Sequence, residues 1–227
     1  GSEMCIRDRA KQDTQEARKY AMRSSKLSPY IIESSKKLLT MMGIPYIEAY
    51  GEGEAQAAYL VENGDAWAVA SQDYDCLLFG AKRVVRNLAI NSNLGDLEYY
   101  NLKRVLDELD INREQLIDMG ILIGTDFSEG LKGVGAKTAL KLAKKGELEN
   151  KLAKLQEESS HDISEVREIF LNHNVNKDYK IRWKKPAKND IIDFLCEEHG
   201  FSQDRVSKAC DKLKNLNSNQ KSLEDWF

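Results

Sequence analysis

Two pairs of acids, each with one residue between its members, stand close together in this chain: Glu52 with Glu54, and Asp73 with Asp75. Clustered carboxylates repel one another and raise each other's pKa unless a cation is present. Neither thiol nor imidazole belongs to the two pairs, and oxygen-only ligands suit Mg²⁺ or Mn²⁺. A single pair of acids at a loop end is ordinary surface chemistry. Two pairs at successive strand and helix junctions point to a divalent-metal site for phosphate chemistry.

The elements between them must bring the pairs together. Ala66 to Ala70 carries no charge and fits a strand buried on both faces, as in a parallel sheet. Asp73 and Asp75 follow its end, and an extended backbone there points both carboxylates the same way. Residues i and i+2 do not share a helix face. Glu52 and Glu54 therefore converge only with Glu52 on the extended lead-in and Glu54 in the first helical turn, beside the positive end of the helix dipole. Asp126, at the end of an apolar helix, is a candidate fifth ligand. The five acids are expected to meet around one cation-sized gap.

Upstream, Asp13 to Lys26 reads as a helix with a basic face. Ser28-Pro29 starts another that turns Ile31, Ile32, Leu38, Leu39 and Met42 inward and stops at Gly43. Ile44 to Ala49 then reads as a short strand. Helix and strand alternate here, the signature of an α/β layer with ligands beyond the strand ends. After a strand over Leu97–Tyr100 the chain turns mostly helical. Leu102–Leu109 is one helix, and Asn112 with Gln115 forms a capping box for the next, which ends near Gly124. Segments at Ile163–Leu171, Asp190–His199 and Gln203–Leu213 follow.

At 227 residues, 41% hydrophobic and 31% charged, the chain supports one large domain, or a domain with an appendage, of a soluble intracellular kind. No apolar run approaches the roughly 20 residues that span a bilayer. Its cysteines, Cys5, Cys76, Cys196 and Cys210, lie far apart and read as free thiols. The net charge of −3 argues weakly against nucleic acid, but distribution matters more than the sum. Leu131 to Lys145 holds five lysines and no acid. There Lys132-Gly133-Val134-Gly135-Ala136-Lys137 opens a lysine-rich helix, a pattern that lets a phosphodiester backbone approach the glycines and the helix amides. A basic face at Arg18, Lys19, Arg23 and Lys26 is a second candidate surface. The chain ends with Gln220, Leu223, Trp226 and Phe227 spaced as a short helical turn that plugs a partner's hydrophobic pocket.

Taken together, Met42-Gly43-Ile44-Pro45, the stretch Gly51 to Ala58, Ser71 to Gly80, Gly124-Thr125-Asp126-Phe127 and Lys132 to Gly135 resemble the flap endonucleases, structure-specific 5′-nucleases of replication and repair, in their archaeal form. The resemblance runs from about residue 14 to the C-terminus. It implies a PIN-like or Rossmann-like α/β fold, here a partial parallel sheet with helices, followed by a mainly helical DNA-binding region with a helix–two-turn–helix element. It implies that Glu52, Glu54, Asp73, Asp75 and Asp126 bind metal, with two Mg²⁺ ions (or Mn²⁺) about 4 Å apart driving phosphodiester hydrolysis. Lys132, Gly133, Gly135 and Lys137 would grip duplex DNA beside a K⁺ ion. Arg18, Lys19, Arg23 and Lys26 would form the lower part of a helical arch, and Gln220, Leu223, Trp226 and Phe227 a box that binds the sliding clamp, proliferating cell nuclear antigen.

The implied organisation is a foreign or disordered leader at 1–9, the C-terminal part of the nuclease core at 10–110, a helical DNA-binding region at 111–214 and a clamp-binding tail at 215–227. Flap endonucleases begin with an N-terminal region, supplying central strands, further metal-binding aspartates and the arch's catalytic lysine and arginine, that has no counterpart here. The expectation is therefore a fragment of a monomeric, cytoplasmic enzyme (nuclear if eukaryotic) that is inactive or nearly so alone. The rival expectation is a non-catalytic module that binds DNA and a sliding clamp.

Overall fold

The computed structural model describes residues 28–88 and 96–219, and the chain divides into two compact units, residues 47–179 and the segments on either side of them. The basic segment with Arg18, Lys19, Arg23 and Lys26, and the tail from Gln220 to Phe227, lie outside the described residues. No described helix is long and apolar enough to cross a membrane.

In the flanking unit, Ser28 caps helix α1 (Pro29–Met42) by accepting from the Ile31 amide at 3.3 Å, and proline occupies the first turn. Gly43 ends the helix at φ +74°. A Cβ there would stand 2.1 Å from the Lys184 carbonyl oxygen, so only glycine admits the return strand of chain. Lys184 donates to the Gly43 carbonyl at 2.9 Å and Ala187 to Met41 at 2.8 Å. Helix α9 (Lys188–Asp193) then runs into a π-helical turn at Phe194–Glu198 and on to a last helix at Gln203–Asn219. Leu38, Met41 and Met42 pack on Ile191, Val206 and Cys210. This core takes only the C-terminal half of α1, so Ile31 and Ile32, expected inward, are each 42% exposed. Ile44 to Ala49 is not a strand: no ladder forms there among the described residues.

The larger unit holds a three-stranded sheet in the order β1 (Val69–Ala70), β2 (Arg83–Arg86), β3 (Glu98–Asn101). β1 runs parallel to β2 with Val69 opposite Val84, and β3 pairs antiparallel with Arg86 opposite Glu98. The sheet is thus mixed where a parallel one is expected. β1 is also shorter than Ala66–Ala70, and Ala70 is exposed. The cause is local. The amides of Asp65 and Ala66 still close the preceding helix on the Leu60 carbonyl, and the Trp67 carbonyl accepts from the Arg83 side chain at 2.5 Å instead of a ladder amide.

Helix α2 (Gly53–Glu62) lays Ala55, Ala58 and Val61 on the sheet, small side chains that permit a close approach. Helices α3 (Asp75–Leu78) and α4 (Leu102–Leu109) flank the strands. Helix α5 (Arg113–Ile123) starts with the predicted capping box and buries Ile117, Met119, Ile121 and Leu122. Its Gly120 faces Leu78 so closely that an added Cβ would lie 2.9 Å from a Leu78 methyl. Around α5 pack α6 (Ala136–Lys145), α7 (Leu148–Glu158) and α8 (Ile163–Leu171). The polar run at 147–158 hides α7 in the sequence, where only Leu148 and Leu155 are buried. Phe170 of α8 is fully enclosed, its ring 4.9 Å from Phe79 and 5.7 Å from Phe127. One core runs from Ala55 to Val175 and continues through residue 110, where a boundary between nuclease core and helical region is expected.

Candidate metal centre and nucleic-acid interface

Glu52 is the extended N-cap of α2 (φ −65°, ψ 134°), and its carbonyl takes the first helical bond, from Gln56 at 3.2 Å. Glu54 lies in the first turn, where the helix dipole favours its charge. The predicted arrangement of this pair therefore stands. The second pair differs from expectation. Asp73 and Asp75 are not on an extended strand, because a turn intervenes and Asp75 opens α3. The Asp73 amide donates to Ser71 Oγ at 3.1 Å, and the Asp75 amide to Asp73 Oδ1 at 2.9 Å. One Asp73 oxygen thus shapes the backbone that presents Asp75, in the manner of an Asx-turn.

Asp126 sits at the tip of a four-residue turn after α5, closed by Thr125 and Ser128, whose amides donate to each other's carbonyls at 2.8 and 3.2 Å. Buried Ser128 anchors that turn. Its hydroxyl donates to the Ile121 carbonyl at 3.2 Å and accepts from the Gly130 amide at 3.2 Å.

The fold brings the acids into one electrostatic neighbourhood. Half-buried Asp75 has its carboxyl pushed up to about 6, first by burial and then by Asp73, Asp126, Glu54 and Glu52 in turn. Burial and the neighbouring carboxylates thus disfavour the charged form of Asp75. Among the described residues, however, no three His, Cys, Asp or Glu side chains gather closely enough to hold a metal ion. The single cation-sized gap expected from sequence is not formed. By donor chemistry the set fits a hard divalent cation, and the charge on Asp75 favours one.

Gln56, Arg86 and Arg113 brace this region and carry no signal in the local sequence pattern. Gln56, buried two residues after Glu54, donates to the Asn176 carbonyl at 2.9 Å and accepts from its amide at 2.7 Å. Arg113 donates to the terminal carbonyls of two helices, Leu78 at 3.0 Å and Phe170 at 2.8 Å. Burial holds its pKa below the usual arginine value. A groove of about 590 Å³ opens beside Glu52, lined in part by Phe79, Phe127, Glu165 and His173.

Beyond Asp126 the chain makes a second turn, Leu131 to Val134, closed by the Val134 amide on the Leu131 carbonyl at 3.0 Å. Gly133 holds its third position at φ +85°, the place a type II turn reserves for glycine. The order helix, two turns, helix is thus present between α5 and α6. Gly135 is the N-cap of α6, without a side-chain cap, and no atom lies within 4 Å of a Cβ built on it or on Gly133. Both glycines face open space, and Gly135 leaves the first-turn amides of α6 without a side-chain cap. Lys132 and Lys137 flank them, exposed, with Lys141, Lys144 and Lys145 further along the helix.

The XPG I-region family model matches residues 43–126, the span that carries all five acids. Over 218 residues the chain is 99% identical to Flap endonuclease 1 of Methanobrevibacter smithii, a match covering 96% of this chain and 67% of that protein. It is similar to the solved flap endonuclease-1 from Methanococcus jannaschii at TM-score 0.78 and 44% identity, covering 93% of this chain and 65% of that one. The catalytic core of Rad2, solved in complex with DNA substrate, shares the fold at TM-score 0.70 and 22% identity, over 88% of this chain and 73% of that one. The chain spans about two thirds of the length of the curated relatives it matches.

Proposed function

The chain belongs to the flap endonuclease family, and from that premise we propose that it binds branched or flapped duplex DNA and serves Mg²⁺-dependent hydrolysis of a phosphodiester at the base of a 5′ flap. One observation carries this reading: the start of α2 with Glu52 and Glu54, the turn with Asp73 and the turn with Asp126 are folded into one acidic neighbourhood around Asp75. Glu52, Glu54, Asp73, Asp75 and Asp126 would hold the divalent ions, Mg²⁺ or Mn²⁺, as the family's two-metal chemistry requires. Bound ions supply an activated water and charge stabilisation at the leaving oxygen. The protein's own part is to hold these carboxylates and the DNA backbone in fixed relation.

Lys132, Gly133, Gly135 and Lys137 support the duplex contact. The N-terminus of α6, without a side-chain cap, suits a phosphate, and such contacts position DNA without reading its sequence. A K⁺ ion on the carbonyls of this element belongs to the same proposal. So do an arch contact by Arg18, Lys19, Arg23 and Lys26 and a sliding-clamp contact by Gln220, Leu223, Trp226 and Phe227.

The dispersed ligands favour a second reading, in which this chain by itself is a DNA- and clamp-binding module that cuts slowly or not at all. A gel assay on a 5′-flapped duplex, with Mg²⁺ or with chelator, separates the two when the chain is joined to the N-terminal third of a relative. The nuclease reading expects Mg²⁺-dependent cleavage by the joined protein, little or none by this chain alone, and loss of cleavage with DNA binding retained in Asp73→Ala with Asp75→Ala. Binding with no cleavage by the joined protein in Mg²⁺ or Mn²⁺ selects the module, and loss of both activities rejects each.

A further inference from the structure

Arg86, at the end of β2, is more heavily engaged than an ordinary strand arginine. It faces Glu98 across the antiparallel ladder and donates to Glu98 Oε2 at 2.7 Å through Nη1. The same guanidinium reaches the turn that carries the second acid pair. Its Nε donates to the Gln72 carbonyl at 3.1 Å, Nη1 donates to the Tyr74 hydroxyl, and the group lies 3.9 Å from the centre of the Tyr74 ring. Tyr74 is the residue between Asp73 and Asp75. Its ring meets Tyr100 edge-on at 5.6 Å, the two hydroxyls are 3.3 Å apart, and Tyr100 donates to the same Glu98 oxygen at 3.0 Å. One residue earlier on β2, the Val85 carbonyl accepts from the Ser71 amide at 3.2 Å.

We propose, resting on the reading of Asp73 and Asp75 as cation ligands, that Arg86 is a positioning residue whose guanidinium sets the Asp73–Tyr74–Asp75 turn so that both carboxylates face the same divalent cation. An arginine kept only for a cross-strand ion pair needs one nitrogen on Glu98. Here a second nitrogen and the flat face of the group are spent on the turn itself. The turn is pinned on both sides, at Ser71 and Gln72 by β2 and at Tyr74 by the Arg86–Glu98–Tyr100 cluster. Within the turn, the Asp73 amide on Ser71 Oγ and the Asp75 amide on Asp73 Oδ1 hold the backbone but do not tie it to the sheet. A lysine cannot replace this fork, because a single ammonium does not stack flat on Tyr74 while reaching Gln72 and Glu98.

The test is Mn²⁺ binding to the chain, read from loss of the free-ion electron paramagnetic resonance signal, with thermal melting of each metal-free protein alongside. Removing a side chain that orients a metal ligand lowers affinity by about 10–100-fold, and Arg86→Met is expected in that range. Arg86→Lys is expected to stay several-fold weaker than the parent. Arg104→Met, which removes an exposed pair with Glu108 on α4, is expected to change nothing. If Arg86→Met does not fold, Tyr74→Phe carries the test, since it keeps the ring and loses the hydroxyl. Its Mn²⁺ affinity is expected to fall with melting unchanged. Parent-like affinity in Arg86→Met, or in Tyr74→Phe where that variant decides, overturns the proposal, and parent-like affinity in Arg86→Lys overturns the need for the fork. A parent chain that takes up no Mn²⁺ removes the carboxylate reading itself, a separate result.

Discussion

The side-chain amide of Gln56 clasps the backbone of Asn176 at both ends, donating to its carbonyl at 2.9 Å and accepting from its amide at 2.7 Å. Asn176 in turn donates through Nδ2 to the Glu48 carbonyl at 3.0 Å, just before the first acid pair. The start of α2, with Glu52 and Glu54, is therefore held by a segment distant in the chain.

Gln56→Leu keeps the volume and removes both bonds, leaving the half-buried amide and carbonyl of Asn176 without these partners. The expected loss is about 1–2 kcal/mol, less than for fully buried orphaned groups. Urea denaturation of the metal-free chain measures it, and a change under 0.5 kcal/mol would show that water replaces the clasp.

The raised Asp75 carboxyl makes metal-free stability depend on pH in a definite direction. Its folded value of about 6 exceeds the unfolded value of 3.8, so the folded state holds the extra proton between them. Stability is then full below the unfolded pKa and falls as pH rises through the folded one. The group is only half-buried, and after discounting for solvent screening the drop is on the order of 1 kcal/mol. Thermal melting in chelator from pH 4 to 7.5 is expected to show that fall, and Asp75→Asn to flatten it. Added Mg²⁺ is expected to stabilise more at pH 7.5 than at pH 5, because protons compete for the same oxygens.

Lys132→Ala and Lys137→Ala are each expected to weaken duplex binding equally for unrelated sequences. Each should reduce the slope of log affinity against log salt by about 1. Fluorescence anisotropy across a salt series is the measurement, and an unchanged slope would remove these lysines from the phosphate contact.

Gly130 and Gly133 both have positive φ but opposite surroundings. A Cβ on Gly130 (φ +72°) would stand 2.6 Å from the Ile123 carbonyl oxygen, whereas Gly133 (φ +85°) faces open space. Gly130→Ala is expected to cost about 2–4 kcal/mol, through strain plus a backbone clash. Gly133→Ala is expected to cost about 1 kcal/mol, for the left-handed conformation alone. Its larger effect should fall on DNA affinity, where the methyl would block close approach of a phosphate.

The parts of this fold legible in the sequence are those set by neighbours in the chain. Ser28-Pro29, the Asn112–Gln115 box and the placement of Glu52 and Glu54 across a helix start all follow from local hydrogen bonding. Asp73 and Asp75 depart from the extended strand that the sequence pattern predicts because the Asp73 side chain competes for the backbone and bends it. Gln56, Arg86 and Arg113 are not legible as bracing residues for another reason. Their partners, Asn176, Glu98 and Phe170, are brought to them by tertiary packing, which no local pattern encodes.

Asp126 and the glycine turn at Gly133 hang from the same helix end and the same enclosed side chains, Ile121, Leu122 and Leu131. A duplex seated on that turn would therefore meet the acids at a spacing that the protein cannot readily stretch. On the proposed reading, where a strand would be cut is a matter of length measured along the nucleic acid from its seat, with the interior of the unit as the ruler.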